Sequence, residues 1–228
     1  ITDDNKQLQV EWENGDNITS VFDLEWLRAH DYNTHQRVLC SSFGKPHNTS
    51  NLLVPTISYN EVMHTEKGLF QWLSHLHSDG LSLITNVPDV ENEVTKVASR
   101  VATPSHSFLY GGIFDVKAKG ETSINIAYTS EFLELHQDLV YYESPPGIQI
   151  LHCLQFDSAV TGGESEFLDV HAVAEKMKQL HPEAFRVLCR VPATFEKKDL
   201  AREKPAFMRY QRPHISVNSR DEVIAVYW

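Results

Sequence analysis

The stretch from Asn125 to Ser165 constrains this chain more than any other, because it sets His136-Gln137-Asp138 among turn signals and strand-like alternation. If His136 and Asp138 lie in an extended segment, both side chains fall on one face, where an imidazole and a carboxylate can grip a single cation. That is two thirds of a 2-His-1-carboxylate face, which leaves metal positions open for a chelating co-substrate and dioxygen. A three-residue pattern with one free position is a weak signal by itself. Its setting adds weight. Tyr141-Tyr142-Glu143-Ser144-Pro145-Pro146-Gly147 reads as a turn, and after it Ile148, Ile150, His152 and Leu154 alternate with Gln149, Leu151, Cys153 and Gln155 as in a strand.

Composition narrows the classes of partner. The chain has 228 residues, with 20 basic against 31 acidic and a net charge of −11, which disfavours a phosphate backbone as ligand and suits a cationic or zwitterionic small molecule. Cys40, Cys153 and Cys189 are odd in number and far apart, so neither a disulfide framework nor a paired-cysteine zinc site is expected, and a reducing compartment is. No apolar run approaches a membrane span. The chain opens at Ile1 without a signal-like segment and stops at Trp228 inside the apolar run Val223 to Trp228, so it is expected to be part of a longer protein.

Taken in order, Leu8, Val10 and Trp12 share one face of a strand that turns at Glu13-Asn14-Gly15-Asp16, and Asp23 to Arg28 reads as a short helix. Residues 1–40 are expected to be the end of a small N-terminal β domain. Residues 41–58, rich in Ser, Asn, Gly and Pro, read as a linker, and residues 59–228 as the main domain. There Leu69, Phe70, Leu73 and Leu76 predict a helix stopped at Asp79-Gly80, and Leu81 to Ile84 a buried strand. Val94, Val97, Ala98 and Val101 predict a second helix ended by Pro104. Asp169 is placed to cap a third helix with a stripe of Val173, Ala174, Met177 and Leu180, ending near Pro182. Residues 190–228 read as strands and loops, with Arg212-Pro213-His214 in a loop.

Tyr110-Gly111, Asn125-Ile126-Ala127-Tyr128, His136-Gln137-Asp138, Pro145-Pro146-Gly147-Ile148-Gln149, Leu151-His152-Cys153 and Thr161-Gly162-Gly163 form an ordered set. From about residue 59 onward the chain resembles the taurine dioxygenase-like oxygenases that depend on iron and 2-oxoglutarate, and within them the γ-butyrobetaine and trimethyllysine dioxygenase branch. The resemblance implies a mainly β fold with flanking helices, a double-stranded β-helix or jelly-roll, incomplete at its C-terminal side. It implies hydroxylation of a small trimethylammonium acid, foremost γ-butyrobetaine to L-carnitine. Trimethyllysine, another substrate, or a non-catalytic chain that keeps the fold are the alternatives. Fe(II), 2-oxoglutarate as co-substrate and ascorbate as reductant go with it, as do a possible homodimer and a cytoplasmic location with a mitochondrial alternative.

By the same resemblance His136 and Asp138 are iron ligands, while the third ligand histidine and the arginine for 2-oxoglutarate lie outside the chain. Ser165 and Leu151 fall at positions that contact 2-oxoglutarate; for Ser165 a plain strand serine is the competing reading. Tyr110, Phe114 and Tyr128 fall at positions of an aromatic cage, suited to a quaternary cation that ring faces stabilise, and Asn125 at a substrate contact. Phe114 stands where γ-butyrobetaine dioxygenase has a tryptophan and Leu139 where it has a tyrosine, while Tyr141 and Tyr142 read as rim packing. His152 reads as a packed, hydrogen-bonded strand histidine and His214 as a surface histidine. The zinc-binding Cys-rich segment of the family's N-terminal domain has no counterpart, and Asn17-Ile18-Thr19 occupies the place of its histidine, so no zinc is expected.

Overall fold

The computed structural model of the chain describes residues 1–2, 6–13, 18–30, 53–104, 106, 109–117, 126–200 and 204–228. It divides into two units, residues 1–43 and 44–228. In the first, β1 (Gln7–Glu11) pairs antiparallel with β2 (Thr19–Asp23), turning Leu8 and Val10 to the more protected face. The expected turn at residues 14–16 lies outside the described residues, as does Cys40. Asp23 caps α1 (Leu24–Ala29), its Oδ1 accepting from the Trp26 N–H at 2.8 Å, which satisfies one of the helix's unpaired N-terminal donors.

The second unit begins earlier than its helical periodicity does. Thr56–Ser58, in the stretch expected as linker, forms β3 and pairs in parallel with β4 (Leu83–Thr85). Parallel pairing demands a crossover, supplied by α2 (Tyr59–His64) and α3 (Glu66–Asp79). Ser58 caps α2, its Oγ accepting from the Glu61 N–H and donating to the Glu61 carboxylate, Thr65 caps α3 through the Gly68 N–H at 2.8 Å, and Gly80, at φ 73°, ends it in the left-handed conformation. Gly68 is required where these helices meet, because a Cβ there would lie 2.3 Å from the Glu61 carbonyl oxygen.

The α3 stripe differs by a few positions from the expected one. Trp72 is the buried residue and Phe70 is 72% exposed, because Gly68 and Trp72, four apart, face the core formed with Ile57, Val62 and Val97. Val97 lies on α4 (Glu93–Ser99). Downstream, Asp169 caps α5 (Val170–Leu180) as expected, its Oδ1 accepting from the Ala172 N–H at 2.9 Å. A further helix, α6 (Pro182–Arg190), starts where only an ending was expected, with Pro182 in the first turn, where its missing N–H costs nothing. Ala174 and Phe185 of α5 and α6 pack with Ile215 and Val223 in a second core.

The remaining strands form two antiparallel pairs. β5 (Pro192–Asp199) pairs with β6 (Ala206–Pro213), and β7 (Ile215–Val217) with β8 (Val223–Val226), the latter with a bulge at Ser216/Val217. Arg212 and Pro213 therefore end a strand rather than sit in a loop. Among the described residues helices mix with strands that pair two by two, and no closed barrel forms. The strand expected over residues 148–155 does not form, because no strand among the described residues runs beside it to take its backbone hydrogen bonds.

Candidate metal-binding site

His136 and Asp138 come together although neither lies in a strand. His136 Nε2 and Asp138 Oδ1 are 3.5 Å apart, with both side chains about half exposed. His136 Nδ1 is 2.7 Å from the Glu134 carbonyl, which can only accept, so Nδ1 carries a proton, and in the neutral ring Nε2 keeps the lone pair that a metal would take. Gln149 Nε2 donates to Asp138 Oδ2 at 2.8 Å, leaving Oδ1 turned toward the imidazole. An imidazole nitrogen and a carboxylate oxygen this close would be able to hold one divalent ion between them. The donor set fits such an ion. No third His, Cys, Asp or Glu joins these two among the described residues.

The backbone around the pair is tied at both ends. Gln137 donates its N–H to the Trp228 carbonyl at 3.3 Å, and its Oε1 accepts from the Trp228 N–H at 3.2 Å. After Asp138 the chain turns through Leu139 at φ 61°, a conformation unusual for a γ-branched residue, and the Tyr142 N–H closes the turn on the Leu139 carbonyl at 3.0 Å.

A patch of aromatic rings lies within electrostatic reach of the carboxylate. The rings of Tyr110 and Phe114 are 4.9 Å apart, and Tyr141 meets Tyr142 edge-on at 5.4 Å. The hydroxyls of Tyr110 and Tyr141 share a hydrogen bond, so Tyr141 belongs to this group rather than to rim packing. Burial, foremost, pushes both phenols up from their ordinary value, and the Asp138 charge adds to the rise. Both therefore stay neutral at physiological pH, keeping uncharged ring faces beside the pair. Tyr128 ends the short turn Ile126–Tyr128 and lies close enough to Tyr110 to disfavour its ionisation.

Asn125 lies outside the described residues. Leu151 is 69% exposed and Ser165 is exposed in irregular chain. His152 is not in a strand; its Nε2 is buried without a hydrogen-bond partner among the described residues, within electrostatic reach of the Glu93 carboxylate. His214 is not a plain surface residue: its Nδ1 donates to the Tyr227 carbonyl at 2.6 Å and its ring packs on Phe195 and Trp228. Gln149 was legible only as a member of the Pro-Pro-Gly-Ile-Gln stretch, and Arg212 carries no local signal at all.

One imidazole, one carboxylate and a nearby group of aromatic rings make up the candidate site, and comparison with known proteins gives the family. The profile described as "Taurine catabolism dioxygenase TauD, TfdA family" matches residues 31–226. The chain is 34% identical over 223 residues to the γ-butyrobetaine dioxygenase of Pseudomonas sp. (strain AK-1), covering 96% of this chain and 55% of that protein. It is 31% identical over 194 residues to human γ-butyrobetaine dioxygenase, covering 81% and 47%. With bovine mitochondrial trimethyllysine dioxygenase it shares 28% over 198 residues, covering 85% and 45%. The chain belongs to the TauD/TfdA dioxygenase family. It spans about half the length of the curated relatives it matches.

Proposed function

We propose that the protein is an Fe(II)- and 2-oxoglutarate-dependent dioxygenase that hydroxylates a small trimethylammonium acid, with γ-butyrobetaine as the first substrate to test. The observation that carries this reading is the approach of His136 Nε2 to Asp138 Oδ1 at 3.5 Å, with the imidazole tautomer set for metal binding. Fe(II), when bound, supplies the activation of O2 that couples decarboxylation of 2-oxoglutarate to succinate with hydroxylation of the substrate. The chain's own residues hold and orient. His136 presents its lone pair, Gln149 holds the carboxylate rotamer, and the neutral rings of Tyr110, Phe114 and Tyr141 offer faces to a quaternary cation, which has no proton to donate. The net charge of −11 favours the approach of such a cation.

The similarity to trimethyllysine dioxygenases keeps trimethyllysine as the second substrate. In the full-length protein, succinate formation from 2-oxoglutarate is measured across γ-butyrobetaine, trimethyllysine and shorter betaines. Stimulation by γ-butyrobetaine is the expected result, and Asp138→Ala should abolish Fe(II) binding. Wild-type Fe(II) affinity in that variant refutes the metal assignment, whereas succinate formation that no trimethylammonium compound stimulates refutes the substrate class alone.

A further inference from the structure

We propose that Arg212 is a positioning residue for the His136–Asp138 pair, acting through the main chain of the turn that follows the carboxylate. This rests on the reading of that pair as metal ligands. Arg212 is 8% exposed, at the end of β6, and it forms no ion pair among the described residues. Its Nη2 donates to the Tyr142 carbonyl, and to the Glu143 carbonyl at 2.9 Å. Its guanidinium lies 4.2 Å from the centroid of the Tyr210 ring and 4.3 Å from that of Tyr227. A buried cation is costly unless it is compensated; here main-chain oxygens take Nη2 and two ring faces cover the guanidinium, while the buried Nε has no hydrogen-bond partner among the described residues.

The two carbonyls sit four and five residues beyond Asp138, across a turn closed by Tyr142 N–H on the Leu139 carbonyl. That turn is too short to flex independently, so anchoring its far end fixes where Asp138 points. On the near side, Gln137 is held by Trp228, the neighbour of the Tyr227 that touches Arg212. Both anchors of the pair thus come from one place, the end of β6 and the residues just after β8. Lysine replaces this arrangement only in part, because an ammonium can donate to the two carbonyls, which both bond the single Nη2, but lacks the flat face that rests on the Tyr210 and Tyr227 rings.

The test is a Co(II) titration, followed by visible absorption, of the full-length protein and its Arg212→Met and Arg212→Lys variants, with thermal unfolding alongside. Loss of an outer-shell support lowers metal affinity about 10- to 100-fold, which is the expectation for Arg212→Met, with Arg212→Lys in between. A variant that unfolds at lower temperature yet binds Co(II) with the wild-type constant overturns the inference, since a purely structural role moves only the unfolding. If Arg212→Met does not fold, Arg212→Lys decides: weakened binding supports the proposal and wild-type binding overturns it. Failure of the wild-type protein to bind Co(II) refutes the metal pair itself, and with it this inference.

Discussion

Replacing Gly68 by alanine tests the packing that carries one side of the site. An ideal Cβ at this position lies 2.3 Å from the Glu61 carbonyl oxygen, 2.4 Å from its carbonyl carbon and 2.8 Å from its Cβ. Ordinary carbon contacts begin near 3.5 Å, so α2 and α3 would have to part by about an ångström. The obstacle is main chain and cannot rotate aside, which puts the strain toward the upper end of the 1–3 kcal/mol usual for overpacking. Alanine regains about 1 kcal/mol of helix propensity, leaving a net loss of about 1–2 kcal/mol. For a chain of this size that lowers the unfolding midpoint by roughly 2–8 °C. Parting the helices also disturbs the Thr65 cap on the Gly68 N–H and the core against which Ile150 packs. Thermal unfolding followed by far-ultraviolet circular dichroism reads the effect. Gly147→Ala is the control, since nothing lies within 4 Å of a Cβ there; it should stay within about 1 kcal/mol of wild type. A Gly68→Ala protein as stable as wild type would show that the two helices do not approach as described.

Gln149→Leu removes the donor to Asp138 Oδ2 and should weaken Fe(II) binding about 10-fold or more with little change in unfolding, because the carboxylate is half exposed; unchanged affinity in a metal titration would refute its role. Trp72→Ala, at a position 4% exposed, should cost about 3–5 kcal/mol in denaturant unfolding, and a loss below about 1 kcal/mol would contradict its placement in the core. Glu93 is held below its usual 4.5 by Lys96 first and the Tyr59 hydroxyl second. A lowered folded-state value means its stabilisation is full above the usual carboxylate range and disappears as pH falls through the lowered value. Lys96→Met should therefore flatten the acid side of a stability–pH profile, and a profile that keeps its wild-type slope below pH 4.5 would count against the pairing.

The chain's own pattern was a sound guide wherever a local rule suffices. Capping at Asp169, the stop at Gly80 and the strand at Leu8 and Val10 depend on neighbours within a few residues, and the sequence specifies them. The pattern at 148–152 was half right. Ile150 packs on the helical core and His152 lies within electrostatic reach of Glu93, while Gln149 turns the other way to Asp138, as alternation requires. Yet no strand forms there, since a ladder needs a partner strand that no run of alternating residues can announce.

His136 and Asp138 were legible because one intervening residue is itself a short-range relation, and because ordered motifs surround them. What holds them was not. Tyr141 joins Tyr110 across thirty-one positions, and Arg212 reaches Tyr142 across seventy; neither distance leaves a local period or spacing to read. The cap at Asp169, the stop at Gly80 and the alternation at Leu8 and Val10 were determined by the sequence alone, through residues close by in the chain. The tertiary structure decided which rings flank the carboxylate and which buried cation fixes its turn, because burial and long-range hydrogen bonds exist only once distant segments have met.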